Sequence, residues 1–124
     1  MHNKPVQFIM QKTGQIRSTM KIVFPKEISI LSHTFKVRTD KNNAGGSFSF
    51  PDSEIVIGTA TLQSDPSYVF SVICHEVMEA VCVATGTRYS DPSVPNDYKF
   101  FMDHKGFEVN ISVFAKVIQQ FIGK

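Results

Sequence analysis

At 124 residues, 42% hydrophobic and 19% charged, the chain has the composition of one small globular domain, not of a disordered or fibrous protein. Its net charge of +2 is uneven: eight Lys and Arg face two acids in residues 1–41, and five face nine in residues 42–124. A basic segment can touch nucleic acid, but here Lys and Arg alternate with apolar residues and no nucleic-acid motif accompanies them, so a solvated strand face is expected.

Residues 1–19 are polar and show no sustained period. They are expected to form an N-terminal extension, loosely held or making a hairpin strand at a sheet edge, ahead of a single domain over residues 20–124. Phe8-Ile9-Met10 is too short for the core of a signal peptide, and no apolar run is expected to span a bilayer. A soluble, cytoplasmic protein without a membrane partner follows as the expectation. From Lys21 to Thr39 the pattern is β. Ile28, Ile30, Phe35 and Val37 alternate with polar residues at the period of a half-buried strand. Asn42-Asn43-Ala44-Gly45-Gly46 reads as a turn, Ser47-Phe48-Ser49-Phe50 alternates strictly, and a β-branched strand covers 54–58 after the turn Pro51-Asp52-Ser53.

The second half is helical. Asp65 caps and Pro66 opens a helix over 66–85, whose apolar set Val69, Ile73, Val77, Ala80 and Ala84 keeps helical spacing up to the stop at Gly86. Residues 87–97 form a connector with Asp91-Pro92, Pro95 and Asn96, and 98–102 read as a short helical turn. A last helix covers 104–121, where Phe107, Ile111, Phe114, Ile118 and Phe121 make one apolar stripe expected in the core. The fold class is α+β: a small, mostly antiparallel sheet of three to four strands packed on two helices. Cys74 and Cys82, eight residues apart on one helix, stand about 12 Å apart by helical rise. A disulfide reaches about 7 Å, so both are expected as free thiols.

Between Tyr68 and Thr85 the ionisable side chains, cysteines aside, are His75, Glu76 and Glu79, set in an otherwise apolar or small-residue helix. Buried charges need compensation, and two glutamates three apart repel. A divalent cation compensates them directly. His75 and Glu79 lie one turn apart and can converge on one ion, while Glu76, turned about 100° from His75, flanks it. The arrangement has the spacing of HExxH, with glutamate in place of the second histidine. That substitution gives a more anionic site and admits manganese as well as zinc. The bland alternative is an intrahelical His75–Glu79 pair. Farther along, His104 and Glu108 are again four apart.

Ile73-Cys74-His75-Glu76-Val77-Met78-Glu79-Ala80-Val81, followed by Phe101-Met102-Asp103-His104-Lys105-Gly106-Phe107-Glu108, resembles short phage- and prophage-encoded proteins related to the zincin metallopeptidases, in a minimal gluzincin arrangement. The resemblance spans residues 20–122. It implies His75 and Glu79 as ligands, Glu76 as general base on a metal-bound water, Glu108 as third ligand, and His104 as a ligand or a hydrogen-bond partner to one. It also implies that the strand 55–58 is the edge that binds an extended peptide. The function expected is metal-dependent peptide hydrolysis. The alternative is a non-catalytic binding or structural protein that keeps the fold and uses the ion to hold it together. A third reading is an interaction protein without metal, its acids paired with His104 and Lys105.

Overall fold

The computed structural model describes residues 6–11, 17–90, 93 and 97–123. Of the expected features, the extension's residues 1–5 and 12–16 and the connector residues Asp91, Pro92, Pro95 and Asn96 lie outside this range. β1 (Val6–Gln11) and β2 (Arg17–Ile22) form an antiparallel hairpin, but it belongs to a separate three-stranded sheet and not to the edge of the central one. β3 (Glu27–Ile30) and β4 (His33–Asp40) form another hairpin, and β5 (Gly46–Ser49) and β6 (Glu54–Gly58) a third. α1 (Pro66–Ala84) follows, then the small hairpin of β7 (Arg88–Ser90) and β8 (Tyr98–Phe100). α2 (His104–Ile118) runs into a 3-10 turn, Gln119–Phe121, and β9 (Ile122–Gly123) pairs with β2.

The fold is α+β, as the pattern of elements implies. Its central sheet has the order β3-β4-β6-β5, antiparallel except for β4 and β6, which run parallel. Strand 54–58 is therefore internal, and the edge beside it is β5, which corrects the assignment of 55–58 as the edge. The cause is the parallel register Val37↔Ile55 and Thr39↔Ile57, which gives β6 a partner on both sides.

Alternation along the strands sends Ile28, Ile30, Phe35, Ile55 and Ile57 inward, each at most 1% exposed. α1 meets them with Val69, Ile73, Val77, Ala80 and Val81, all fully buried. α1 lies across β5 and β6, while α2 packs on α1 and β3; Val117 of α2 and Phe121 of the 3-10 turn close the core. Truncating Phe35 to alanine would cost about 3–5 kcal/mol through lost transfer energy and the cavity left behind. The ends of α1 follow its sequence: the Asp65 carboxylate accepts from the Tyr68 N–H at 3.1 Å, and Gly86 takes φ 73° just past the last turn.

Three further expectations change. By length and composition α1 does qualify as a bilayer span, but it spends its apolar side on the sheet. Residues 98–100 form a strand instead of a helical turn, because β7 offers them a ladder, Arg88↔Phe100 through Ser90↔Tyr98. The α2 stripe enters the core only in its second half: Phe107 is 52% and Ile111 42% exposed.

Candidate metal centre

The helical wheel of α1 decides how its three ionisable groups are placed. With Ile73 pointing at the sheet, a 100° step puts Glu76 about 60° from it, on the buried side, and His75 about 160° away. Glu79 falls between them, about 120° from Ile73. Accordingly Glu76 is buried, the His75 side chain is 68% exposed and that of Glu79 is 20% exposed.

The burial of Glu76 is completed by β5. A Cβ on Gly46 would stand 2.7 Å from Val72 Cγ1 and 3.1 Å from both Cγ and Oε2 of Glu76, so only glycine lets the edge strand approach this closely. Gly58, on the neighbouring strand, is equally constrained: a Cβ there would fall on the carbonyls of Asn43 and Gly45. Burial pushes the Glu76 carboxyl up to about 6; His75 opposes the shift, and the charge of Glu79 and a hydrogen bond with its carboxyl add to it.

Glu79 is the hub of the cluster. Its Oε2 lies 3.1 Å from His75 Nε2 and its Oε1 accepts from Arg88 Nη1 at 3.5 Å. Arg88 reaches it from β7 with a side chain only 9% exposed, its guanidinium 3.6 Å from the Tyr98 ring centroid and 5.2 Å from that of Phe48. The guanidinium is thus held by stacking on β8 and β5 and partly neutralises Glu79. Glu79 in turn sets its charge beside the buried Glu76, adding to the shift that burial causes there.

One ligand atom from each of His75, Glu76 and Glu79 lies within 4.8 Å of the other two, so the group could hold a metal ion. Two donors on a tetrahedral zinc, each about 2.0–2.2 Å from it, stand roughly 3.4 Å apart. The His75–Glu79 separation of 3.1 Å is close to that, and one imidazole with two carboxylates is a donor set that such ions accept.

His104 and Glu108 are not brought to this group. They pair with each other, Nδ1 to Oε1 at 3.1 Å, with side chains 86% and 64% exposed. The two helices do pack, but α2 turns Phe107, Asn110 and Ile111 towards α1, and Glu108 is rotated about 100° from Phe107. What lies between the helices is a cavity of about 370 Å³, walled mainly by Met78, Phe100, Met102, Phe107 and Ile111, with His75 and Glu79 at its margin.

Two residues of this region were not singled out from the sequence. Arg88 carried no signal, standing alone in a connector. Asn110 carried one: it lies three residues after Phe107, on the inner face of α2, where a polar residue interrupts an apolar stripe. The chain matches no family model, no curated protein and no solved structure.

Proposed function

We propose that this chain is a metal-dependent peptide hydrolase of the minimal, phage-type zincin kind, acting in the cytoplasm, with His75 and Glu79 holding zinc, or manganese in its place, and Glu76 serving as general base. The observation that carries the reading is the convergence of His75, Glu76 and Glu79 within 4.8 Å at the margin of an apolar cavity. A divalent ion held there supplies Lewis-acid polarisation of a scissile carbonyl and of water.

The chain's own residues do the rest. Glu76, with its carboxyl raised to about 6, is ionised at neutral pH and remains a usable proton acceptor, near the optimum for general base catalysis. Arg88 fixes the orientation of Glu79, leaving the exposed His75 as the side chain most open to solvent. The edge strand β5, packed against Glu76, offers backbone groups to an extended peptide, which strand addition would lay beside the cluster.

The test is hydrolysis of a broad peptide library by zinc-loaded and manganese-loaded protein, wild type against Glu76→Gln. Cleavage by wild type and its loss in Glu76→Gln with metal content retained supports the reading; no cleavage by the loaded wild type overturns it.

A second reading, a non-catalytic protein whose ion only stabilises the fold, is favoured by one observation: among the described residues the three converging donors all sit on α1. In that case Glu76 is itself a ligand. Glu76→Gln then loses the ion, and chelation lowers the melting temperature without removing any hydrolysis.

A further inference from the structure

Glu79 divides its two carboxylate oxygens between two neighbours. Oε2 lies 3.1 Å from His75 Nε2, within the candidate metal group, and Oε1 accepts from Arg88 Nη1 at 3.5 Å, on the side of β7. The arginine is held in place from several directions. Its guanidinium stacks on the Tyr98 ring at 3.6 Å and faces the Phe48 ring at 5.2 Å, and its side chain is only 9% exposed. The residue before it is pinned as well. The Thr87 N–H donates to the Cys82 carbonyl of α1 at 2.8 Å, the Thr87 carbonyl accepts from the Phe101 N–H at 2.8 Å, and Thr87 Oγ1 accepts from Asn110 Nδ2 of α2 at 3.1 Å. A planar guanidinium fixed between two rings cannot follow Glu79 when the carboxylate turns.

A carboxylate takes a cation through one oxygen or through both. The two modes suit different ions. Zinc is satisfied by four ligands in a tetrahedron, so one oxygen from Glu79 suffices. Manganese belongs with the six-coordinate, oxygen-preferring ions, and three converging donors leave it short, so a second oxygen from Glu79 is worth more to it. Glu79 can give that second oxygen only by turning Oε1 away from Arg88. The dication would then move towards a guanidinium that little water screens.

Resting on the reading of His75 and Glu79 as metal ligands, we propose that Arg88 widens the preference of this site for zinc over manganese, by occupying Oε1 of Glu79 and leaving Oε2 alone to the ion. Arg88 touches neither ion nor substrate in this role; it is a positioning residue that acts through Glu79. The proposal is the same whether Glu76 serves as base or as ligand. Two effects of Arg88 have to be separated. Its positive charge weakens any dication held nearby, so its removal tightens zinc and manganese alike. Its hold on Oε1 acts on the two ions unequally. The ratio of the manganese Kd to the zinc Kd cancels the first effect and keeps the second.

The experiment is therefore calorimetric titration of Zn²⁺ and of Mn²⁺ into chelator-stripped wild type, Arg88→Met and Tyr98→Leu. Methionine keeps an unbranched apolar stem beside Phe48 without the donors. Tyr98→Leu keeps the arginine and removes the ring it stacks on, at a position that is 39% exposed. The ratio is expected to fall about tenfold in Arg88→Met, the size of effect that hydrogen-bond partners of metal ligands exert, and to fall by less in Tyr98→Leu. Co²⁺ supplies a second readout. Wild type should show the intense visible bands of a four-coordinate centre, and Arg88→Met the weak bands of five or six ligands. An unchanged ratio in folded Arg88→Met, or weak five- or six-coordinate bands in wild type, overturns the proposal. The wild-type spectrum needs no substitution, so an Arg88 variant that fails to fold leaves the answer intact. Hydrolysis is scored separately. A shifted ratio in a protein that cleaves no peptide would sink the hydrolase reading alone, cleavage with an unshifted ratio would sink this one alone, and uptake of neither ion by wild type would sink both.

Discussion

The chain writes the same pair twice. His75 with Glu79 on α1 and His104 with Glu108 on α2 are both four residues apart on a helix, and both close to 3.1 Å. Helical geometry makes them equal to this point. Their surroundings then separate them. The first pair has Glu76 buried beneath β5 on one flank, Arg88 on the other and an apolar cavity at its side. The second stands in open water, where an exposed ion pair is worth little and, among the described residues, no third donor joins it. Spacing brings two donor side chains together in each pair; a sheet edge pressed onto the helix buries a third, Glu76, beside the first.

Removing parts of the first pair's surroundings should show this in proportion. Glu76→Gln is expected to lower metal-dependent peptide hydrolysis at least about a hundredfold, whereas His104→Ala changes it less than twofold; kcat/KM on one cleaved peptide measures both. Next in size is Arg88→Ala. It leaves Glu79 beside Glu76 without its cation and removes the guanidinium from between Phe48 and Tyr98, so a loss of about 2–3 kcal/mol in urea unfolding is expected. Glu108→Ala should stay within about 0.5 kcal/mol of wild type in the same measurement. If Arg88→Ala proved as mild as Glu108→Ala, the contrast between the two pairs would lose its electrostatic basis.

Gly46→Ala should cost about 1–3 kcal/mol, because the added methyl pushes β5 away from Val72 and Glu76. Its signature is a fall in the Glu76 pKa as water enters, followed by NMR of the side-chain carboxyl. The smallest effect is in the pH dependence of the metal-free protein. With its pKa raised to about 6 from 4.5, folded Glu76 keeps a proton that the unfolded chain has already lost. The resulting contribution is fully present below about 4.5 and is lost as pH rises through about 6. Relative to Glu76→Gln, the melting temperature of metal-free wild type should therefore rise as pH falls from 7 towards 4.5. Parallel profiles for the two proteins would contradict the burial of Glu76 as the cause.

The local features of this fold were legible from the sequence, and its tertiary features were not. Alternation at Ile28, Ile30, Phe35 and Val37, the cap at Asp65 and the stop at Gly86 are written within a few residues of one another, and they mark β3, β4 and α1 closely. β8 has three residues, too few to display a period, and exists because β7 pairs with it. Which strand forms the sheet edge depends on the parallel pairing of β4 with β6, which no local pattern encodes. Likewise the spacing of His75, Glu76 and Glu79 pointed to the cluster, but the exposure of Glu108 depends on how α2 is rotated against α1. Phe107 and Ile111 followed the periodicity of a core face yet line an open cavity, since the stripe of α2 is longer than the surface that α1 and the sheet present to it.

The difference between the two pairs is tested most directly by calorimetric titration of Zn²⁺ into chelator-stripped wild type, Glu79→Ala and the double variant His104→Ala/Glu108→Ala. One ion per chain is expected in wild type and in the α2 double variant, with affinity at least about a hundredfold weaker in Glu79→Ala, since loss of a direct ligand exceeds the 10- to 100-fold effect of losing a supporting hydrogen bond. Loss of the ion in the α2 double variant, or no uptake by wild type, would contradict the account.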